Sequence, residues 1–252
     1  MKTFLLEVCV DSVESAMAAV HGGADRLELC GNLIIGGTTP SLYLYKEIKK
    51  HTDIPVHILL RPRFGDFCYS KAEISVMKQE ICAFKKAGAE GVVIGVLKSD
   101  GTLDLERMRE LIACAEGMHI TLHRAFDMCK DPFDTLDQAV ELGIQTILTS
   151  GQQDSAMKGA QLLNKLVQRA AGRIQLQAGA GVKAEVIVPL FEQTGIRAYH
   201  MSGKVTLESA MQYRNPQVFM GLPGIDEYEI WRTDEAHIAE AANILTRLSE
   251  RY

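Results

Sequence analysis

Phe4-Leu-Leu-Glu-Val-Cys-Val-Asp-Ser-Val13 runs from a strand pattern straight into a helix start, with no glycine between the two. An open, doubly wound α/β sheet carries its phosphate fingerprint, G-x-G-x-x-G, at this turn; Cys9-Val-Asp-Ser-Val stands there instead. The strand part is apolar only at alternate positions. Successive strand residues point to opposite faces, so Leu6 and Val8 share one side while Glu7 and Cys9 share the other. A parallel strand covered on both sides reads as unbroken Val, Ile and Leu. The alternation here predicts a second face that carries polar groups toward a site. The following helix is expected over residues 12–21. Its cap is either Asp11, with Glu14 closing a capping box, or Ser12 alone.

The same alternation recurs in Arg26-Leu-Glu-Leu-Cys30, Val56-His-Ile-Leu-Leu-Arg61, Ile120-Thr-Leu-His-Arg124, Ile174-Gln-Leu-Gln177 and Ala198-Tyr-His-Met-Ser202. The polar face so defined holds Glu7, Cys9, Glu28, Cys30, His57, Arg61, Thr121, His123, Gln175, Gln177, His200 and Ser202. Strands are expected at 4–10, 25–30, 55–61, 91–96, 118–124, 146–150, 173–178 and 198–202. Helices are expected at 41–51, 71–87, 104–116, 133–142, 156–170, 183–194 and 233–251 after the first. Four strands are entered through a glycine, at Gly23, Gly88, Gly143 and Gly195, and the intervals of 65, 55 and 52 residues each span two strand–helix units. Eight such units in 252 residues predict an α/β chain folded as a TIM-like (β/α)8 barrel, a single domain over 1–252. Function is then expected at the C-terminal ends of the strands. Two loops are long for this plan: residues 62–70, rich in aromatics, and residues 203–232 after the last strand, which contain Arg214-Asn-Pro and Gly221-Leu-Pro-Gly.

Composition narrows the class of partner. The chain is 47% hydrophobic and 23% charged with a formal net charge of −5, an ordinary soluble balance that argues against nucleic acid or an anionic membrane as partner. The N-terminus enters a strand pattern at once, without a secretory apolar region, and no apolar run approaches a membrane span. Six cysteines without close pairing read as reduced thiols, and the location expected is cytoplasmic. Cys82 and Cys114, inside helices, are expected in the core; Cys68 and Cys129, in loops, are expected to be accessible near the barrel mouth.

Three groups of residues carry chemistry. Cys9 and Cys30 each end a strand two residues after a glutamate, and strands one and two are barrel neighbours about 4.8 Å apart. Two thiolates there could bracket a soft metal ion such as Cu(I) or Zn(II), or simply act as small buried hydrophobes. Glu7, Glu28, His57, Arg61, His123 and Asp127, with Asp66 nearby, could serve acid–base or anion-binding roles, or form a paired network filling the barrel. Glycine turns at Gly151, Gly179 and Gly181, with Ser202, could let the backbone approach a phosphate, or serve turn geometry alone. No lysine points inward from an expected strand, which counts against a Schiff-base aldolase, and no G-x-S-x-G elbow is present.

Leu6-Glu-Val-Cys9, Gly23-Ala-Asp-Arg-Leu-Glu-Leu-Cys30, Gly36-Gly-Thr-Thr-Pro-Ser41, Arg61-Pro-Arg, Gly65-Asp-Phe-Cys-Tyr-Ser70, His123-Arg-Ala-Phe-Asp127, Leu148-Thr-Ser-Gly151 and Ala178-Gly-Ala-Gly181 together resemble the CutC copper homeostasis family, over most of the chain. The resemblance implies a cytoplasmic TIM-like barrel that assembles as a homo-oligomer and is linked to copper tolerance. It places the family's two proposed copper(I) thiols on Cys9 and Cys30. Family members often have Gly-Gly after Arg-Pro-Arg and a glutamate before Gly-Gly-Thr-Thr-Pro-Ser; Phe64 and Ile35 stand here instead. Leu33-Ile-Ile35 then makes an apolar loop tip, suited to a subunit contact or a lid. Two functional readings follow: a copper homeostasis protein holding Cu(I), or a barrel enzyme of unassigned reaction acting on a small, phosphorylated metabolite.

Overall fold

Polar caps start most of the helices. Ser12, Ser41, Ser70, Asp104, Asp131 and Asp234 each accept a hydrogen bond from a backbone N–H of the first turn, satisfying donors that a helix leaves open. Ser12 caps the first helix, its hydroxyl accepting from Ser15 N at 3.2 Å. Asp11 instead accepts the Leu33 N–H of the next loop at 3.4 Å.

The structure is a computed structural model in which residues 3–221, 224 and 226–252 are described. The chain runs β1 (Leu5–Val10), α1 (Val13–His21), β2 (Arg26–Leu29), α2 (Leu42–Ile48), β3 (Val56–Leu59), α3 (Lys71–Ala87), β4 (Gly91–Ile94) and α4 (Leu105–Cys114). It continues through β5 (His119–Leu122), α5 (Pro132–Glu141), β6 (Thr146–Thr149), α6 (Ala160–Ala170), β7 (Gln175–Ala178), α7 (Ala184–Thr194), β8 (Ala198–Met201), β9 (Lys204–Glu208), β10 (Glu229–Thr233) and α8 (Glu235–Ser249). β1 to β8 form a closed barrel, with β8 pairing in parallel with β1. The fold is the (β/α)8 barrel that the alternation predicts, its strands trimmed by a residue or two at the ends. Among the described residues no helix is long and apolar enough to cross a membrane.

The strand register stacks the inward residues. Glu7 lies level with Arg26 and with His200, Cys9 with Glu28, and Glu28 with His57. The outward-facing Leu6, Val8, Leu27, Leu29, Val56 and Ile58 join the main core between strands and helices. Cys9, Cys30, Leu59 and Val93 form a separate small cluster, capped by Leu33. Leu33-Ile-Ile35 is a short 3-10 turn rather than an irregular tip.

Three expectations are corrected. The 203–232 segment is not without regular structure: β9 and β10 pair antiparallel within it. Both strands lie outside the barrel, so neither shows the apolar repeat of a core element. The Lys204 ammonium sits over the Trp231 ring, 3.1 Å from its centroid. The Thr233 N–H donates to Ser15 Oγ at 3.1 Å, tying the ribbon to α1. Leu222, Pro223 and Ile225 of this segment lie outside the described residues. Second, α6 begins at Ala160, because a close approach of Gly159 to the Ser150 carbonyl holds the preceding residues as turns. Third, the cysteines are redistributed. Cys82 is exposed, since Ile74, Met77, Ile81 and Phe84 already fill the inner stripe of α3, whereas Cys114 at the end of α4 is half-buried and packs against the edge of the core. Cys129 is buried, and its carbonyl accepts from Gln152 Nε2 at 2.8 Å.

Candidate functional site at the barrel mouth

The barrel interior is ionic at mid-height. The Glu7 carboxylate, 1% exposed, accepts from Arg26 Nε at 2.5 Å, Gln177 Nε2 at 2.8 Å and His200 Nδ1 at 2.8 Å. Burial opposes its charge, but the Arg26 guanidinium and His200 outweigh burial and hold the carboxyl well below the usual range. The other His200 nitrogen, Nε2, lies 3.4 Å from Glu28 Oε2. Burial disfavours the imidazolium, yet the Cys9 sulfur, Glu28 and the Glu7 hydrogen bond raise His200 well above its ordinary value. Glu28 is pushed up to about 7, mainly by burial and further by Glu7, with His200 opposing.

Below this layer His57 stacks on His119 with centroids 4.8 Å apart. Burial, aided by Arg26, lowers His57 to about 3 and His119 to about 4, so both are neutral. His119 Nε2 meets Thr146 Oγ1 at 3.0 Å, and that hydroxyl reaches Gln175 Oε1 at 3.3 Å. Glycine at position 91 makes room for this pair, since a Cβ there would lie 2.5 Å from the His57 ring. Glu7 therefore belongs to a hydrogen-bonded network, while His57 is packed against His119 with no hydrogen bond at its Nδ1, and little of either is open to a ligand.

Above it sit the thiols. Cys9 Sγ faces the Met201 carbonyl at 3.6 Å and Cys30 Sγ the Glu28 carbonyl at 3.8 Å, both within the apolar cluster of Leu59 and Val93. Burial pushes the Cys30 thiol up, and Glu28, Cys9 and Asp11 add to the shift. The donor set suits a soft cation: two thiols, an apolar wall and a field of carboxylates that favours positive charge. Glu7, Glu28 and His200 also bring donor atoms within 4.8 Å of one another. The His200 bridge between the two glutamates already occupies that cluster.

The mouth opens into a cavity of about 1240 Å³ bordered by Cys9, Glu28, Cys30, Arg61, His123 and His200 among others. Arg61 Nη1 donates to the Gly37 carbonyl at 3.1 Å and Nη2 to that of Gly65 at 2.9 Å, clamping the loops after β2 and β3. The Phe67 ring lies under the Arg61 guanidinium, 5.2 Å away, and beside the His123 ring, 4.9 Å away. His123 Nδ1 accepts from the Ala125 N–H at 3.1 Å, and burial with Arg61 lowers its pKa to about 3. The neutral ring then carries its proton on Nε2, which is buried without an acceptor, as is Arg61 Nε.

Other expected site residues lie elsewhere or serve the frame. Asp127 borders the cavity, but its carboxylate accepts from Thr149 Oγ1 at 2.5 Å, Ser150 N at 3.0 Å and Gln152 N at 3.2 Å. It also takes Arg124 Nε at 2.7 Å. Asp66 is exposed and paired with Arg63 at 2.9 Å. Gly181 and Ser202 border the cavity; Gly151 packs against Gly159 and Gly179 against Leu148. Sequence reasoning put His200 and Gln177 on the inward polar face without giving them a role, and it left out Arg26, although the strand parity that marks Glu28 and Cys30 marks Arg26 too. The ribbon's Lys204 and Trp231 also border the cavity, where no periodicity marked them, and so does His237 in the first turn of α8.

The sequence profile of the CutC family matches residues 4–205. The chain belongs to the CutC family. A CutC family protein of Histophilus somni is 45% identical over 233 residues, covering 92% of this chain and 96% of its own. The human copper homeostasis protein cutC homolog is 43% identical over 247 residues, 96% of this chain and 90% of its own. A solved CutC structure from Streptococcus agalactiae superposes with a TM-score of 0.76 at 30% identity, covering 79% of this chain and 98% of that one. The CutC profile spans all eight barrel strands, both thiols and the Glu7–Glu28–His200 layer, and ends inside β9.

Proposed function

We propose that this CutC-family chain handles copper by binding Cu(I) through Cys9 and Cys30, in the cytoplasm and as a homo-oligomer, with the barrel and its ribbon acting as one domain. The observation that carries the reading is the pair of buried thiols on adjacent strand ends, inside an apolar cup and beside Glu28. Copper here is cargo. Thiolate ligands select soft ions, and a cation entering this acidic field releases the proton that burial now holds on the Cys30 sulfur. The family's copper homeostasis name agrees with this chemistry. An anaerobic Cu(I) competition titration against a calibrated chelator tests it. Tight binding should be lost in Cys9→Ser/Cys30→Ser; unchanged affinity in that variant overturns the reading.

A second reading, a barrel enzyme acting on a small phosphorylated metabolite, is favoured by one observation. The cavity far exceeds what two thiols need, and two of its buried donors, Arg61 Nε and His123 Nε2, have no acceptor. A buried unmet donor costs about 1–3 kcal/mol, which an anionic ligand group would recover. Glu28, near neutrality in its pKa, would be the exchangeable acid. Calorimetry with inorganic phosphate tests this. Binding weakened at least tenfold in Arg61→Leu supports it, and no heat in the wild type sinks it.

A further inference from the structure

Cys82 and Cys114 stand on the outside of the barrel, where α3 packs against α4. One turn earlier on the same seam, Lys78 of α3 and Glu110 of α4 meet at 2.8 Å. Each cysteine lies four residues beyond one member of that ion pair, Cys82 after Lys78 and Cys114 after Glu110. In parallel neighbouring helices a four-residue step on both sides carries a contact up by one turn. That step brings the two thiols together, and the neighbouring Cys82 sulfur adds to the burial that raises the Cys114 pKa. Packing does not require Cys82, which is exposed beside an inner stripe completed by Ile81 and Phe84. Neither thiol borders the mouth cavity.

We propose that Cys82 and Cys114 form a second, solvent-facing dithiol site that binds a thiophilic two-coordinate cation, Cu(I) before others. Binding is a ligand exchange in which two S–H bonds break and two Cu–S bonds form. Two protons leave to solvent and no electrons move. The bis-thiolate complex carries one net negative charge, which the Lys78 ammonium one turn away favours and the Glu110 carboxylate paired with it opposes. Zinc in structural sites takes four ligands. The seam supplies two sulfurs, which favours an ion content with two. Exposure suits exchange with small dissolved thiols, in contrast to the buried pair at the mouth. The site does not depend on the mouth reading.

Anaerobic Cu(I) titration of the full chain should give one equivalent fewer in Cys82→Ser/Cys114→Ser than in the wild type, with the change independent of Cys9 and Cys30. Phenylarsine oxide supplies a second measurement, because it condenses with two adjacent thiols and releases one water. It should add once by intact mass and shield Cys82 and Cys114 from alkylation. If both cysteines alkylate freely after the arsenical and the surface variant binds as much Cu(I) as the wild type, the proposal is wrong. Loss of an equivalent from the surface variant while Cys9→Ser/Cys30→Ser binds as the wild type does would uphold this site and sink the mouth site.

Discussion

Glu7 and His200 meet at 2.8 Å across the seam where the last barrel strand pairs with the first. Removing the charge from Glu7 leaves Arg26 and His200 buried without their counter-ion. Glu7→Gln keeps the shape and should cost about 3–5 kcal/mol in chemical denaturation. A change under about 1 kcal/mol would mean that the network contributes little to the fold.

Two buried histidines and a half-buried one make the protein acid-sensitive. His57, His119 and His123 are held at about 3, 4 and 3, against an ordinary 6.5 in the unfolded chain. Between those limits the unfolded state binds protons that the native state refuses. Stability therefore falls as pH drops below 6.5, by roughly 1.4 kcal/mol per pH unit for each histidine at full effect, and levels off near pH 3–4. Urea denaturation from pH 7 to 4 reads the slope, and His57→Gln should flatten it.

Gly91, which opens β4, and Gly95, which follows it, make room for two imidazoles. A Cβ at Gly95 would lie 2.6 Å from the His123 ring, as one at Gly91 would crowd His57. Each alanine substitution should cost about 1–3 kcal/mol by overpacking. Thermal melts measure the cost. Gly95→Ala should also shift the His123 ring resonances in NMR, and Gly91→Ala should leave them in place.

Asp127 serves the loop after β6. Asp127→Ala strands the Ser150 and Gln152 N–H groups and should destabilise the fold by about 3 kcal/mol. Cu(I) affinity should stay at the wild-type value. A weakened copper affinity with unchanged stability would reassign this carboxylate to the site.

The barrel was legible because six of its strands obey the same rule: Leu6, Leu27 and Ile58 turn outward to a helix while Glu7, Glu28 and His57 turn inward. The thiols were legible for the same reason, being two residues further along the inward face. Strand parity cannot report which inward groups saturate one another, so Glu7 and Asp127 looked as available as Glu28. The β9–β10 ribbon stayed hidden because Val205, Leu207 and Ile230 sit on a surface strand pair with no buried face to impose a pattern. Cys82 and Cys114 were misjudged because a cysteine beside an apolar helical stripe reads as part of it.

The Glu7–His200 contact spans 193 residues of chain. The ionic layer therefore cannot form early. Until β8 docks, Glu7 and Arg26 remain hydrated on an open, curling sheet, and contacts this distant in sequence are made last and slowly. The final step of folding must strip water from several charges at once and can succeed only when all their partners arrive together. A chain shortened before residue 198 would keep α1 to α7 and β1 to β7 yet lack that step, leaving a persistent, sticky open sheet. The buried charges thus act as a proofreading device for the finished ring.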